Sequence, residues 1–186
     1  DESGFLLIPT RRRTWGPRGE TPIVYYLQKH DRISALGTLT VSARRKRMGL
    51  YLRFQEDNFK AVHVAAFLRT LLRHLRGHVI LLWDGGSIHK GPPINTVLAA
   101  NPRLHVERFP AYAPELNPAE FVWRDFKGRM ANGCPFDLHD LSVTLRGAPS
   151  SSLRSCRRRS ISYAKINNHH VAGRRDDDGL RARCDG

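Results

Sequence analysis

The stretch Val79-Ile80-Leu81-Leu82-Trp83-Asp84-Gly85-Gly86 constrains the fold more than any other part of the chain. Five apolar residues run into a carboxylate, and two glycines break the run. This reads as a buried β-strand with Asp84 at its C-terminal end. Ligands bind outside the carboxyl ends of strands in open α/β sheets, so an acid there is a site candidate by position alone. Two further acids belong with it. Glu120 stands in the first turn of a helix opened by Asn117-Pro118, and Asp1 heads the apolar strand Gly4–Ile8.

The rest of the chain supplies a sheet around that strand. Residues Ile23–Leu27, Ile33–Val41 and Gly49–Phe54 are rich in β-branched and aromatic side chains and predict strands. A helix is predicted from Asn58 through Leu75, with Val62, Ala65, Ala66, Leu68, Leu72 and Leu75 as its core stripe. The strand Val79–Trp83, a helix Pro93–Ala100, a strand Leu104–Phe109 and the Glu120 helix follow. Early hairpin pairing followed by βαβ units implies an α/β fold with a mixed five-stranded sheet and helices on both faces. One domain is expected over residues 1–146. Beyond Gly147 the periodicity fades, and residues 147–186 are expected to form a divergent, basic, poorly ordered tail with at most a short helix.

Charge narrows the partner. The formal net charge is +14. Residues 1–146 carry 22 Lys and Arg against 13 Asp and Glu, and residues 147–186 carry 9 against 4, so the excess is not confined to the tail. A basic globular body suits a polyanion, above all nucleic acid, although a generally basic surface is the plain alternative. Arg11, Arg12, Arg13 and Arg18 lie in a Gly- and Pro-containing loop whose arginines suit phosphates. Trp15 in that loop either stacks on a base or anchors the loop to the core, the second being the commoner use. Arg44-Arg45-Lys46-Arg47 is a basic hairpin tip, open to DNA contact or simply solvated. His63, His74 and His78 show no ligand spacing and read as surface or capping residues. Asp176-Asp177-Asp178 reads as an exposed charge run. Three scattered cysteines form no disulfide framework and fit a reducing, intracellular setting. No apolar run is long enough to span a bilayer, so no membrane partner is expected.

The three acids define candidate chemistry. Breaking a DNA phosphodiester needs an activated oxygen nucleophile and a stabilised leaving oxygen, which two divalent ions about 3.5–4 Å apart supply. Magnesium takes hard oxygen ligands, and a few carboxylates suffice to hold it. With no Cys/His cluster of zinc type, a carboxylate site is the natural metal chemistry here. Each acid also has a plain explanation. Asp84 could cap the Gly85-Gly86 turn, Asp1 could end a strand, and Asn117-Pro118-Ala119-Glu120 satisfies a helix start with Glu at N3.

Together the blocks are more specific. Asp84-Gly-Gly-Ser-Ile-His89-Lys90 and Pro110-Ala-Tyr-Ala-Pro114-Glu-Leu-Asn117-Pro118-Ala-Glu120-Phe-Val-Trp123 resemble the second and third catalytic blocks of DDE-type transposases, in the bacterial insertion-sequence branch of the mariner superfamily. Asp1-Glu2-Ser3-Gly4-Phe5 resembles the first block, Trp15-Gly16-Pro17-Arg18-Gly19 resembles a loop of the family, and 35 residues separate Asp84 from Glu120. The resemblance implies a ribonuclease-H-like core that cuts transposon ends and joins them to target duplex DNA. It implies Asp1, Asp84 and Glu120 as the triad holding two Mg2+ or Mn2+ ions, and places His89 and Lys90 near the DNA backbone. Arg124 and Lys127, at i+4 and i+7 from Glu120, share its helix face and suit phosphates; a solvated face is the alternative. The resemblance further implies homo-oligomers on DNA, a bacterial cytoplasmic, nucleoid-associated setting, and an N-terminal helix-turn-helix region outside this chain. The chain, which opens on Asp1 rather than Met, reads as part of a longer product. An inactive DNA-binding remnant of such an element and another ribonuclease-H-like nuclease are the other readings.

Overall fold

The computed structural model of the chain describes residues 1–165, apart from 9, 24, 26–30, 44–46, 111–112, 134 and 156–159. Strands β1 (Glu2–Leu6), β2 (Arg32–Val41) and β3 (Arg47–Gln55) form an antiparallel meander. Helix α1 (Ala61–His74) crosses to β4 (Val79–Trp83), and α2 (Pro92–Ala99) leads to β5 (Leu104–Arg108), which pairs with β4 in parallel. Helices α3 (Pro118–Arg129) and α4 (Leu138–Ser155) follow, and β6 (Ser160–Lys165) joins β3 in parallel. The architecture is mixed α/β, as expected.

The expected single five-stranded sheet is divided among the described residues. One sheet has the order β1-β2-β3-β6, and β4-β5 stands as a second. Side-chain packing joins them: Leu36 of β2 lies in one core cluster with Leu81 and Trp83 of β4, under Val64, Phe67, Leu68 and Leu71 of α1 and Ile94 and Val97 of α2. The opposite face of the larger sheet, with Phe5, Ile33, Ala35, Leu50 and Leu52, packs on Trp123 and Phe126 of α3 and Leu141 and Leu145 of α4. Neighbouring residues of β2 therefore serve opposite cores, as the two-residue repeat of a strand requires. Helices cover both faces.

Several expectations need correction. β4 is buried on one face only: Leu81 and Trp83 are 9% and 7% exposed, Ile80 and Leu82 70% and 55%. Helices α1 and α2 pack on its inner face, whereas α3 and α4 pack on the larger sheet. In α1 the core stripe is Val64, Ala65, Phe67, Leu68, Leu71 and Leu72, and Val62 is 52% exposed. That helix starts at Ala61 rather than Asn58, because Lys60 is extended and caps it from outside. Ile23 and Tyr25 are exposed and lie in no strand; residues 24, 26 and 27 of that expected strand fall outside the described set.

Helix α4 runs from Leu138 to Ser155, and β6 follows it from Ser160 to Lys165. Leu141 and Leu145, one turn apart and fully buried, carry the helix into the core. Asp176 to Asp178 and Cys134, Cys156 and Cys184 lie outside the described residues. The same is true of Arg44 and Arg45, the candidate DNA contacts of the hairpin tip.

Candidate active site

Each acid reaches the site by a different local route. Asp1 precedes β1, and its backbone is bracketed by Gly37 of β2: the Gly37 N–H donates to the Asp1 carbonyl at 2.9 Å, and the Asp1 α-amino group donates to the Gly37 carbonyl at 3.2 Å. Burial lowers the pKa of that α-amino group, while the carboxylates of Asp84, Glu2 and Glu120 raise it. Asp84 stands at the end of β4 and Glu120 in the first turn of α3.

The Asp1 carboxylate is held on both oxygens. Its Oδ2 accepts from Asn117 Nδ2 at 2.9 Å and from Trp123 Nε1 at 3.0 Å, and its Oδ1 accepts from the Glu2 N–H at 2.9 Å. An ordinary strand-end aspartate has no such setting. Sequence reasoning placed Asn117 at a helix cap and Trp123 inside a motif, but assigned neither to the site. No local pattern could pair residues 116 and 122 positions from Asp1.

Asp84 does cap its turn, with Oδ1 accepting from the Gly86 N–H at 3.0 Å. A Cβ on Gly86 would lie 3.0 Å from that oxygen, so glycine admits the carboxylate. His89 Nδ1 lies 2.6 Å from the same oxygen, and the His89 ring stacks on Trp83 with centroids 4.7 Å apart and planes 8° from parallel. Burial lowers the His89 pKa below the usual imidazole value, against the pull of Asp84. A neutral ring donating from Nδ1 fits this contact. The Asp84 side chain remains 49% exposed, whereas His89 is buried at 6%. His89 was expected near the DNA backbone; stacked between Trp83 and Asp84, it offers phosphates little surface.

Glu120 is exposed. The plain capping explanation for it weakens, because the Asn117 N–H that a capping-box glutamate would accept from already donates to the Pro114 carbonyl at 3.0 Å. Asn117 caps the helix alone, its Oδ1 accepting from the Ala119 N–H at 3.1 Å. Glu120 is left facing solvent. Lys90 and Arg124 are exposed, with the Arg124 guanidinium 4.7 Å over the Phe121 ring and Lys127 Nζ 5.9 Å over Phe5.

The basic loop after β1 is tied at its root. Arg12 exchanges backbone bonds with the Asn132 side chain at 2.9 and 3.0 Å, and Asn132 takes the left-handed conformation that asparagine tolerates. Trp15, expected to anchor this loop, is fully exposed instead. Asn132 is the anchor, which frees the tip. His63 and His74 make local bonds around α1, consistent with surface or capping roles.

The donor set suits a hard cation. Three carboxylates of all-oxygen character, two of them oriented by hydrogen bonds, match Mg2+ or Mn2+ and not a thiolate- or imidazole-loving metal. Among the described residues no three His, Cys, Asp or Glu side chains already converge tightly enough to enclose an ion. A carboxylate has about four acceptor positions, so Asp1 and Asp84 retain capacity beyond their protein donors.

Residues 1–141 match the model of the family described as DDE superfamily endonuclease. A search of curated proteins finds no match. Among solved structures, the Mos1 transposase paired-end complex with left transposon end is similar at a TM-score of 0.59 and 17% identity, over 78% of this chain and 45% of that one. The Mos1 strand transfer complex gives 0.58 and 16%, over 78% and 44%. The Mos1 mariner paired-end complex with Mn gives 0.57 and 16%, over 81% and 52%. The chain thus spans about half the length of these proteins. The likeness establishes the shared fold.

Proposed function

Because this chain belongs to the DDE superfamily endonucleases, we propose that it is the catalytic domain of a transposase. It hydrolyses DNA phosphodiesters and then transfers the resulting strand to target DNA. The observation that carries this reading is the hold on the Asp1 carboxylate by Asn117 and Trp123, which flank Glu120 in sequence. Asp1, Asp84 and Glu120 would hold two Mg2+ or Mn2+ ions. When bound, such ions lower the pKa of the attacking oxygen and neutralise the leaving one.

The chain's own residues do the rest. Asn117, Trp123 and His89 orient two of the carboxylates. Lys90, Arg124 and Lys127, with Arg44 and Arg45, offset phosphate charge without reading sequence. The partners are accordingly transposon-end and target duplexes, with homo-oligomers assembling on the DNA. A bacterial insertion-sequence origin with a nucleoid-associated setting belongs to the same proposal. No helix among the described residues is long and apolar enough to cross a membrane.

The test is to incubate the chain with supercoiled plasmid and a labelled duplex carrying a free 3′ hydroxyl, in Mg2+ or Mn2+. The expected result is chelator-sensitive nicking, with the label joined to plasmid. Preferential cleavage of an RNA–DNA hybrid would instead identify another ribonuclease-H-like nuclease. Salt-sensitive DNA binding with no cleavage in either metal would identify a DNA-binding remnant.

A further inference from the structure

We propose that Trp123 and Asn117 are positioning residues which register the Asp1 carboxylate against the helix that carries Glu120. The proposal rests on reading Asp1 and Glu120 as metal ligands. Two side chains, Asn117 at the N-cap of α3 and Trp123 within it, converge on one oxygen, Oδ2 of Asp1, at 2.9 and 3.0 Å. Glu120 sits between them, three residues from each along the helix. The separation of the first and third acids is therefore set by one rigid element and not by two independent loops.

Each donor is itself fixed. Asn117 cannot rotate its amide freely, because its Oδ1 caps α3 at the Ala119 N–H, leaving Nδ2 aimed at Asp1. Trp123 is 2% exposed and packs edge-on against Phe5 and Phe126, with centroids 6.2 and 6.1 Å away. Its ring also lies over Gly37: a Cβ there would fall 2.5 Å from Trp123 Cη2. Gly37 is the residue that brackets the Asp1 backbone. A single glycine of β2 thus holds the main chain of Asp1 and makes room for the ring that holds its carboxylate.

A buried indole N–H needs some acceptor, and a backbone carbonyl would meet that need. Here it is given a carboxylate that a second side chain also binds. Hydrogen bonds to an ionised acceptor are about twice as strong as neutral ones and fix its direction. Partners that orient a metal ligand typically change metal affinity by roughly 10- to 100-fold when removed.

The experiment measures Mn2+ affinity by calorimetric titration on the full 186-residue chain. Trp123→Phe keeps the ring packing and deletes the N–H. Asn117→Asp keeps the cap oxygen and replaces the amide donor with a repelling oxygen. Glu120→Gln and Asp84→Asn run beside them, with circular dichroism and thermal melting on all. The expected result is a roughly 10- to 100-fold loss of Mn2+ affinity in Trp123→Phe and in Asn117→Asp while far-UV spectra stay unchanged. Raising Mn2+ should restore nicking in Trp123→Phe. If Glu120→Gln and Asp84→Asn weaken Mn2+ binding but the two α3 variants do not, positioning is refuted and the acid site stands. If none of the four weakens it, the acid site itself is refuted.

Discussion

His89 Nδ1 lies 2.6 Å from Asp84 Oδ1 while the same imidazole stacks on Trp83, the residue that ends the strand delivering Asp84. The ring is held by stacking on Trp83, and His89 itself ends the 3-10 turn Ser87–His89. Its bond therefore fixes the rotation of a carboxylate that is otherwise half in water. Asp84→Asn would break the metal site, whereas His89 variants should disturb only its aim.

His89→Ala is expected to lower Mn2+ affinity by roughly 10- to 100-fold, with His89→Asn retaining more, since its amide can still donate. Calorimetric titration of the three proteins side by side checks this. Equal affinity in His89→Ala would show that Asp84 needs no such support.

The buried imidazole also gives the stability a pH dependence. Its folded-state pKa is lowered, chiefly by burial, so the unfolded chain takes up the proton first. The contribution is intact above the unfolded value of about 6.5 and is lost as pH falls through it toward the lower folded value. Melting temperature should drop on acidification below about pH 6.5, and drop less in His89→Asn. Thermal scans between pH 7.5 and pH 5, run without divalent ions, test the difference, with the range set by the ordinary imidazole pKa of about 6.5.

Gly37→Ala should destabilise the chain by about 1–3 kcal/mol, because the added methyl overlaps the Trp123 ring and the core must shift. Chemical denaturation reads this directly. Loss of Mn2+ affinity beyond what Trp123→Phe shows would mean that the main-chain bracket on Asp1 has moved as well.

Arg124→Ala and Lys127→Ala should each weaken duplex binding to a similar extent on all sequences and reduce the salt slope by about one unit. Binding titrations at several salt concentrations check both. An unchanged slope would leave those side chains as a solvated helix face.

Trp15→Ala should leave stability within about 0.5 kcal/mol, since the side chain is fully exposed. If the tryptophan stacks on bases, single-stranded DNA affinity should fall by about 1–3 kcal/mol. Fluorescence quenching by a short oligonucleotide, compared between the two proteins, separates that from an idle loop tip.

Much of this site was legible in the sequence because its signals are local. Asp84 follows an apolar run and precedes Gly-Gly, and Asn117-Pro118 opens a helix with Glu120 in its first turn. Each of those statements needs fewer than ten residues. What stayed hidden depends on long-range geometry. Trp123 meets Asp1 across 122 positions, and His89 turns inward only because Trp83 offers a face to stack on. Trp15 was misjudged because Asn132, 120 residues from Arg12, ties the loop root and relieves the tryptophan of that duty. The apolar run of β4 suggested burial on both faces, but a run of hydrophobics cannot say how many helices arrive to cover it. The burial of Leu141 and Leu145 was equally hidden, since they lie in a cluster with residues of β1, β2, β3 and α3.

The most direct measurement is the rate of Mn2+-dependent nicking of supercoiled DNA by the chain, by Asp84→Asn and by Glu120→Gln, with DNA affinity measured in parallel. If the three acids form one metal-dependent phosphodiester site, both substitutions abolish nicking while DNA binding persists. Nicking at the original rate by either substituted protein would contradict the site.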